Sequence, residues 1–515
     1  MSTPIIGIDL GTTYTAIATV NLAGKPELIE NKDGEKLTAS AILFEPNNAT
    51  TVGQVAINAN DPEHLERWFK NKMGDVNWKS RTHFGQTYTA LDLSAMLIKK
   101  VVEDANLTNG PISKAVITVP AYFNELQRKA TMDAAALAGL EVLGLINEPT
   151  AAALAFANTG DIRGKCLIYD FGGGTFDVSV VDIVNPENVT VISSEGNNNL
   201  GGHNLDEDIA KLVDKEFMDA NGQSMQNDTA SLTDQHSLIQ ASEKIKRELS
   251  SREISKNAPI NSISGKVLAF TLTRDHFEEA VRSRIRQTEL LVDQVLANSS
   301  LTTSDIEHVL LVGGSTRIPL VQNILEQKFG KPPVRIINPD ESVAMGAAIK
   351  AAQLLVQSGE ITMPGSAQER FEQASFADVC SSSYGTLALQ DEFGTEQLRN
   401  TIIIPKNTPL PAEKSESFYT MADNQTSVDI RVTQGEDLDP RFVTTVWRGK
   451  FDLPANRPQG QEIKVTYKYD INQRMSCTFL DVASGRTHEE NLKSSETGNS
   501  IQQIDAELFD GLVIE

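Results

Sequence analysis

Two stretches decide the fold: GIDLGTTYTA at residues 7–16 and IYDFGGGTFD at residues 168–177. Each is a short apolar run that ends in an aspartate, Asp9 or Asp170, and continues into a turn rich in Gly and Thr. Glycine in such a turn lets backbone N–H groups approach phosphate oxygens with no Cβ in the way. An aspartate at the strand end is suited to hold a hydrated Mg²⁺ beside those phosphates. Either turn alone could be an ordinary hairpin, but the pair predicts an internal duplication around one nucleotide cleft.

The composition indicates a folded protein of several domains. The chain has 515 residues, of which 40% are hydrophobic and 22% are charged, as in ordinary globular proteins. This length predicts about two to four domains, each with its own core. The net charge of −23 argues against a nucleic-acid or anionic-membrane surface, because both would repel the protein.

The chain shows no targeting or membrane pattern. MSTP leads directly into the first predicted strand, so we expect no signal peptide. No apolar run reaches the ~20 residues that a membrane helix needs. The three cysteines, Cys166, Cys380 and Cys477, are too scattered for a disulfide framework or a zinc site. We therefore expect a cytoplasmic protein.

Local patterns divide the first part of the chain into two α/β lobes within residues 1–355. Residues 1–163 contain the first glycine turn and form the predicted first lobe. Residues 164–355 open with the second glycine turn and form the second lobe, with a helix over residues 276–296 that has one apolar face.

The pattern changes after residue 355. Residues 356–378 are polar and contain Gly, Pro and Ser, which predicts an inter-domain linker. Residues 379–486 alternate between apolar and polar positions in short runs separated by turn residues, which predicts an antiparallel β domain. The acidic and polar composition of residues 487–515 predicts a short tail, with one short helix near residues 501–508.

Further strings give the chain a specific resemblance. In chain order they are IGIDLGTTY, VITVPAYFNELQRKAT, LINEPTAAALAF, YDFGGGTFDVSV, NLGGHNLD, SEKIKRELSS, LLVGGSTRIPLVQ and NPDESVAMGAAI. Their order and spacing resemble the ATPase domain of the heat-shock-70 (DnaK-type) chaperones, and residues 400–436 resemble the peptide-binding domain of that family. The resemblance implies an α/β actin-like ATPase domain, a duplicated ribonuclease-H-like fold, followed by an antiparallel β-sandwich. The short stretch between Met73 and Leu91 resembles the lean HscC-like branch, and the few residues after the β domain imply that the helical lid is absent.

The resemblance also implies a function. It predicts an ATP-dependent chaperone, active in protein folding and the stress response, that hydrolyses ATP and binds unfolded or extended hydrophobic peptides. The implied cofactors are ATP or ADP, Mg²⁺ and K⁺, and the implied partners are a J-domain co-chaperone and a nucleotide-exchange factor. A small-molecule kinase of the actin and sugar-kinase superfamily and an actin-like filament protein remain as alternatives.

The resemblance assigns roles in the nucleotide cleft. It implies that Lys70 offsets charge on the transferring phosphate, that Glu148 and Thr175 position the attacking water with Asp177 nearby, and that Asp9 and Asp170 hold the metal's water shell. Asp170 also counts among the catalytic residues. The expected nucleotide contacts are Gly11, Thr12, Thr13, Tyr14, Gly172, Gly173, Gly174, Thr175, Gly201, Gly202, Glu243, Lys246, Arg247, Ser250, Gly313, Gly314, Ser315, Arg317 and Asp340.

Several of these assignments have simpler alternatives. Lys70 alone would be a solvated lysine, and Glu148 could cap the helix that Pro149 begins. The basic run at residues 244–247 could be a solvated helix face. Position within the family's pattern favours the functional role in each case.

In the β domain, the resemblance places a peptide channel at Leu389, Phe418, Met421, Val428 and Ile430. Such a channel holds the backbone of an extended peptide and selects an apolar side chain. The alternation of Val428 and Ile430 is equally typical of a sandwich core, and that alternative stays open.

The linker departs from the family pattern. The family's leucine-rich linker is replaced by Ser-Phe-Ala at residues 375–377, before Asp378. A single large apolar residue, Phe376, predicts weaker docking of the linker. An ATPase or holdase with weakened inter-domain coupling is therefore a further alternative.

Overall fold

The structure is a computed structural model that describes residues 4–46, 49–59, 61–335, 337–392, 395–470, 475–492 and 513–514. No helix in these stretches is long and apolar enough to cross a membrane.

The first lobe is an α/β unit whose elements are as follows. Its strands are β1 Ile6–Asp9, β2 Tyr14–Val20, β3 Pro26–Leu28, β4 Thr38–Ala39, β5 Ala41–Phe44, β6 Ala49–Val52, β7 Leu65–Arg67, β8 Lys114–Val119 and β9 Glu141–Asn147. Its helices are α1 Gln54–Asn58, α2 Ala90–Asn109, α3 Glu125–Leu137 and α4 Glu148–Asn158.

The second lobe has the same alternation. Its strands are β10 Gly164–Phe171, β11 Phe176–Asn185, β12 Asn188–Asn197, β13 Ile254–Asn261, β14 Val267–Thr273 and β15 His308–Val312. Its helices are α5 Gly202–Asn221, α6 Leu232–Leu249, α7 Arg274–Asn298, α8 Pro319–Phe329 and α9 Ser342–Gln357.

The central sheets of the two lobes repeat one topology. β1 pairs antiparallel with β2 and parallel with β8, while β10 pairs antiparallel with β11 and parallel with β15. The strand-end aspartates occupy matching places, because Asp9 lies opposite Ala16 and Asp170 lies opposite Asp177. The predicted duplication is confirmed.

Helix α9 joins the lobes at the floor of the cleft. It packs on both β1 and α4, at distances that only glycine allows. A Cβ on Gly7 would lie 2.1 Å from the backbone N of Ala348, and a Cβ on Gly346 would lie 1.7 Å from the backbone O of Ala151. This close packing fixes the strand that ends in Asp9 against the helix that begins with Glu148.

The segment predicted as a polar linker is folded. It contains α10 (Ser366–Gln373), whose Phe371 is buried, and β16 (Ser375–Ala377), which pairs in parallel with β12. The Phe376 side chain is only 5% exposed. The buried Asp378 carboxylate accepts hydrogen bonds from Asn147 and Thr150, both at 3.0 Å. One aromatic ring and one buried carboxylate thus hold the segment against the lobes, and the expected weakness of this docking stays a prediction.

The β domain is a sandwich of two antiparallel sheets. Its strands are β17 Tyr384–Glu392, β18 Thr395–Ile404, β19 Ala412–Tyr419, β20 Ser427–Gln434, β21 Thr444–Asp452, β22 Glu462–Tyr469, β23 Met475–Asp481 and β24 Arg486–Asn491. One sheet has the order β18-β17-β20-β21 and the other β19-β22-β23-β24. The prediction that the sandwich ends at residue 486 was wrong, because β24 pairs with β23 as far as Asn491.

Residues beyond the sandwich reach back to the first lobe. Strand β25 (Val513–Ile514) pairs in parallel with β6. The helix predicted near residues 501–508 lies outside the described residues.

The β domain contacts both lobes through buried polar groups. The carboxylate of Glu125 accepts hydrogen bonds from the hydroxyls of Tyr384 (2.6 Å) and Tyr469 (3.0 Å). The carboxylate of Glu195 accepts one from Lys406 Nζ at 2.6 Å. The sandwich is thus held against the two lobes by charge-assisted bonds.

Candidate nucleotide-binding site

The two glycine turns face each other across the cleft between the lobes. A Cβ on Gly173 would lie 2.0 Å from Thr13 Oγ1, so the backbone of one turn lies directly against the hydroxyl of the other. The backbone N of Gly172 donates to the Thr175 carbonyl at 3.1 Å and closes the second turn. Between the turns lies a cavity of about 300 Å³, a size within the range of small-molecule sites.

Nearly all the residues predicted for nucleotide, metal and catalysis meet in this cavity. Those that line it are Asp9, Gly11, Thr12, Thr13, Tyr14, Lys70, Glu148, Asp170, Gly172, Gly173, Thr175, Gly202, Glu243, Lys246, Arg247, Ser250, Gly313, Gly314, Ser315, Arg317 and Asp340. Gly174 and Gly201 do not line it. A Cβ on Gly201 would lie 2.5 Å from backbone atoms of Gly174, so these two glycines let α5 begin directly behind the second turn.

Lys70 and Glu148 form a buried pair at the centre of the cleft. Lys70 Nζ donates to Glu148 Oε1 at 2.6 Å, and the two side chains are 4% and 9% exposed. Lys70 lies in the short 3-10 turn Phe69–Lys72, and Glu148 is the first residue of α4. The simpler alternatives were a solvated Lys70 and a Glu148 that only caps a helix. Neither fits, since Lys70 is buried and the Glu148 carboxylate binds it.

The cleft brings several buried carboxyl groups close enough to affect one another. Burial and the nearby Glu148 charge raise the pKa of Asp9 to about 7 and that of Asp177 to about 8. The same two causes raise the pKa of Asp170 well above its usual range. Thr118 Oγ1 donates to the Asp9 carboxylate at 2.8 Å and partly opposes this effect. The Lys70 charge acts in the opposite direction and lowers the pKa of all three aspartates, and a further cation bound here would likewise stabilise their ionised forms.

This charge distribution fits a hydrated Mg²⁺. Among the residues that the structure describes, no three His, Cys, Asp or Glu side chains lie close enough together to hold a metal directly. Mg²⁺ keeps several of its waters and binds through one or two carboxylates together with phosphate oxygens. Asp9 and Asp170, one on each lobe, suit that mode.

Helix α6 presents one face to the cavity. Glu243, Lys246 and Arg247 line it, and Ser250 follows directly after the helix. Lys246 Nζ lies 2.7 Å from Asp206 Oδ1 and donates to the Gly202 carbonyl at 2.8 Å. The basic run is therefore not simply a solvated face.

The opposite wall comes from the segment after β15. Ser315 Oγ donates to the Gly172 carbonyl at 2.9 Å and ties this segment to the second turn. Arg317 Nη2 lies 2.8 Å from Asp340 Oδ2, and both side chains line the cavity. The pocket is closed on this side by an ion pair.

Sequence reasoning missed some lining residues, namely Trp68, His203, Asp206, Val312, Ile318, Pro339 and Val343. Asp206 lies in the NLGGHNLD string and could have been found there. Burial raises its pKa to about 6, against the opposing effect of Lys246. Trp68 and His203 are far apart in sequence, and no pattern predicts that they meet.

The residues predicted for peptide binding differ in how deeply they are buried. Leu389 is 47% exposed and Met421 is 50% exposed. Phe418 and Val428 are partly buried and pack against the sandwich core. Ile430 is 5% exposed and belongs to that core, so the core alternative holds for this residue.

Comparison with known proteins agrees with the geometry. The family model described as Hsp70 protein matches residues 5–76 and 59–508. The chain is 38% identical over 495 residues to the chaperone protein DnaK of Thermotoga neapolitana and, at the same identity, to that of Thermotoga maritima. Each alignment covers 94% of this chain and 79% of the relative. The chain belongs to the Hsp70 family of ATP-dependent molecular chaperones, which bind ATP or ADP with Mg²⁺ and hydrolyse ATP.

Proposed function

We propose that this chaperone uses ATP hydrolysis in the inter-lobe cleft to control binding of extended apolar peptides by its β-sandwich. The observation that carries the proposal is the docked segment between the two parts. Strand β16 extends the sheet of the second lobe, and Asp378 is bonded to the first lobe at the start of α4. The same helix supplies Glu148 to the cleft. A change at the nucleotide therefore has a direct structural route to the β domain.

The proposed roles in hydrolysis follow from charge and position. When bound, Mg²⁺ would neutralise charge on the phosphates, and Asp9 and Asp170 would hold its waters. Lys70 would stabilise the charge that builds up on the transferring phosphate, which is the main contribution a protein makes to this reaction. Glu148, bonded to Lys70, and Thr175 would orient the attacking water. A monovalent cation such as K⁺ would offset part of the remaining carboxylate charge.

The proposed nucleotide contacts divide between the two lobes. Backbone groups of both glycine turns would hold the phosphates. The α6 face with Lys246 and Arg247 would contact the adenosine from one side, and the Arg317–Asp340 pair would contact it from the other. This arrangement would make nucleotide binding depend on closure of the cleft.

For the peptide-binding site, we propose the exposed residues among those predicted for the channel. Leu389 and Met421 offer exposed apolar surface, and Phe418 and Val428 are partly buried against the core. Strand backbone would bind the extended peptide and these side chains would select apolar residues. Ile430 is left out because it lies in the core.

We also propose partners, a branch of the family and a cellular location. A J-domain co-chaperone and a nucleotide-exchange factor are inferred from the family alone. The short turns between Met73 and α2 support the HscC-like branch. The buried and unpaired state of Cys166, Cys380 and Cys477 suits the cytoplasm, where thiols stay reduced.

The decisive experiment measures dissociation of a fluorescent apolar peptide from the purified protein with ATP and with ADP. Coupling between two sites is commonly worth about fivefold or more in affinity, so we expect ATP to speed release by at least that factor. Equal rates with both nucleotides would reject the proposed control and favour the weakly coupled alternative.

A further inference from the structure

A ring contact crosses the cleft beside the catalytic lysine. Trp68 follows β7 in the first lobe, and His203 lies in the first turn of α5 in the second lobe. Their rings are stacked with centroids 4.0 Å apart and planes at 26°. The Arg67 guanidinium also lies over the indole, 4.4 Å from its centroid. Because the rings belong to different lobes, this contact joins the two lobes across the cleft.

Trp68 has an unusual backbone conformation. Its φ of 58° and ψ of 17° lie in the left-handed region, which is rare and costly for a bulky side chain. Such strain persists only where surrounding contacts hold it, and it concentrates at functional sites. Trp68 directly precedes the 3-10 turn that carries Lys70. The direction of that turn, and so the position of Lys70 Nζ beside Glu148, depends on the conformation of Trp68.

We propose that Trp68 and His203 are positioning residues for ATP hydrolysis. Closure of the lobes stacks the two rings, the stack holds the left-handed turn at Trp68, and the turn places Lys70 in the cleft. Hydrolysis is thereby made conditional on closure around the nucleotide. The inference rests on the proposed role of Lys70.

The test compares single-turnover hydrolysis at saturating MgATP in four variants. Trp68→Ala removes the ring and leaves a residue that disfavours the left-handed backbone, Trp68→Phe keeps a ring, His203→Ala removes the partner, and the fourth combines Trp68→Ala with His203→Ala. Aromatic contacts of this kind predict a roughly three- to tenfold slower rate for Trp68→Ala and for His203→Ala. Trp68→Phe should restore most of the rate. The double variant should be no slower than the slower single variant, because both remove one contact.

A matched control exists within the first lobe. The His64 ring stacks on Phe84 with centroids 4.7 Å apart and planes at 8°, and this pair does not cross the cleft. His64→Ala should therefore leave the single-turnover rate unchanged.

The proposal is overturned if Trp68→Ala or His203→Ala hydrolyses at the parent rate, or if their effects multiply in the double variant. A rate loss in His64→Ala equal to that in His203→Ala would also overturn it. Lys70→Ala is measured in parallel, since a parent rate in that variant would reject the proposed site map itself, whatever the stack does.

Discussion

The nucleotide cleft and the peptide-binding face of the β domain contrast in how their predicted residues are arranged. In the cleft, residues from segments hundreds of positions apart meet around one cavity. On the β domain, Leu389 is half-exposed while Ile430 is buried in the core. A turn that must approach phosphate tolerates few residue types, so its sequence is specific. Alternating apolar residues are required by any sandwich, so they do not distinguish a channel from a core.

The largest effect that tests this contrast is expected at Lys70. Lys70→Ala should lower the rate of ATP hydrolysis by one to about three orders of magnitude, because it removes charge stabilisation from the transition state. Binding of MgATP should largely survive, since the glycine turns remain. Steady-state hydrolysis and nucleotide titration measure the two quantities. Hydrolysis at the parent rate would contradict the assignment of the cleft.

On the β domain, Ile430 and Leu389 should respond in opposite ways. Ile430→Ala should lower the free energy of unfolding by about 2–4 kcal/mol, because it leaves a cavity in the core. Leu389→Ala should change stability little and weaken peptide binding, because its side chain is exposed. Denaturant unfolding and peptide anisotropy separate the two outcomes. A stable Ile430→Ala variant with lost peptide binding would return Ile430 to the channel.

The linker connects the two regions, and Phe376 is the residue to change. Burial of an aromatic side chain contributes about 1.5–3 kcal/mol, and Lys350 Nζ lies 5.7 Å from this ring. Phe376→Ala should bring the ratio of peptide dissociation rates with ATP and ADP close to one. Phe442→Ala, at a 70% exposed phenylalanine, is the matched control and should keep the ratio. An unchanged ratio in Phe376→Ala would mean that docking of β16 does not carry the coupling.

The smallest expected effect concerns the buried charge of the cleft. The pKa of Asp177 is raised to about 8 by burial and by Glu148, so the folded protein keeps a proton that the unfolded chain loses near pH 4. The free energy of unfolding should therefore fall as the pH rises from about 4 to 8. Over this pH range the Tm of Asp177→Asn should fall by a few degrees less than the Tm of the parent protein. Melting of the ligand-free protein between pH 5 and 8.5 tests this, with Asp161→Asn at an exposed site as the control.

The sequence predicted the fold because its strongest patterns are local. The paired Asp-Gly turns predicted the duplication, and the alternating strands after residue 378 predicted the sandwich. Boundaries were predicted less well. The linker proved to contain α10 and β16, because a polar segment with one buried phenylalanine on each element gives little periodic signal.

The sequence alone predicted a nucleotide cleft, because two strand-end aspartates followed by Gly-Thr turns leave few other uses, whereas the role of Lys70 came only from its position in the family's pattern. Only the tertiary structure decided which side chains share an environment. In the structure, Lys70 binds Glu148 and Ile430 lies in the sandwich core. The strand that carries Phe376 pairs with the second lobe, and the Trp68 ring stacks on His203. These pairs join segments distant in the chain, and their contacts depend on how the lobes and sheets pack, which no local pattern encodes.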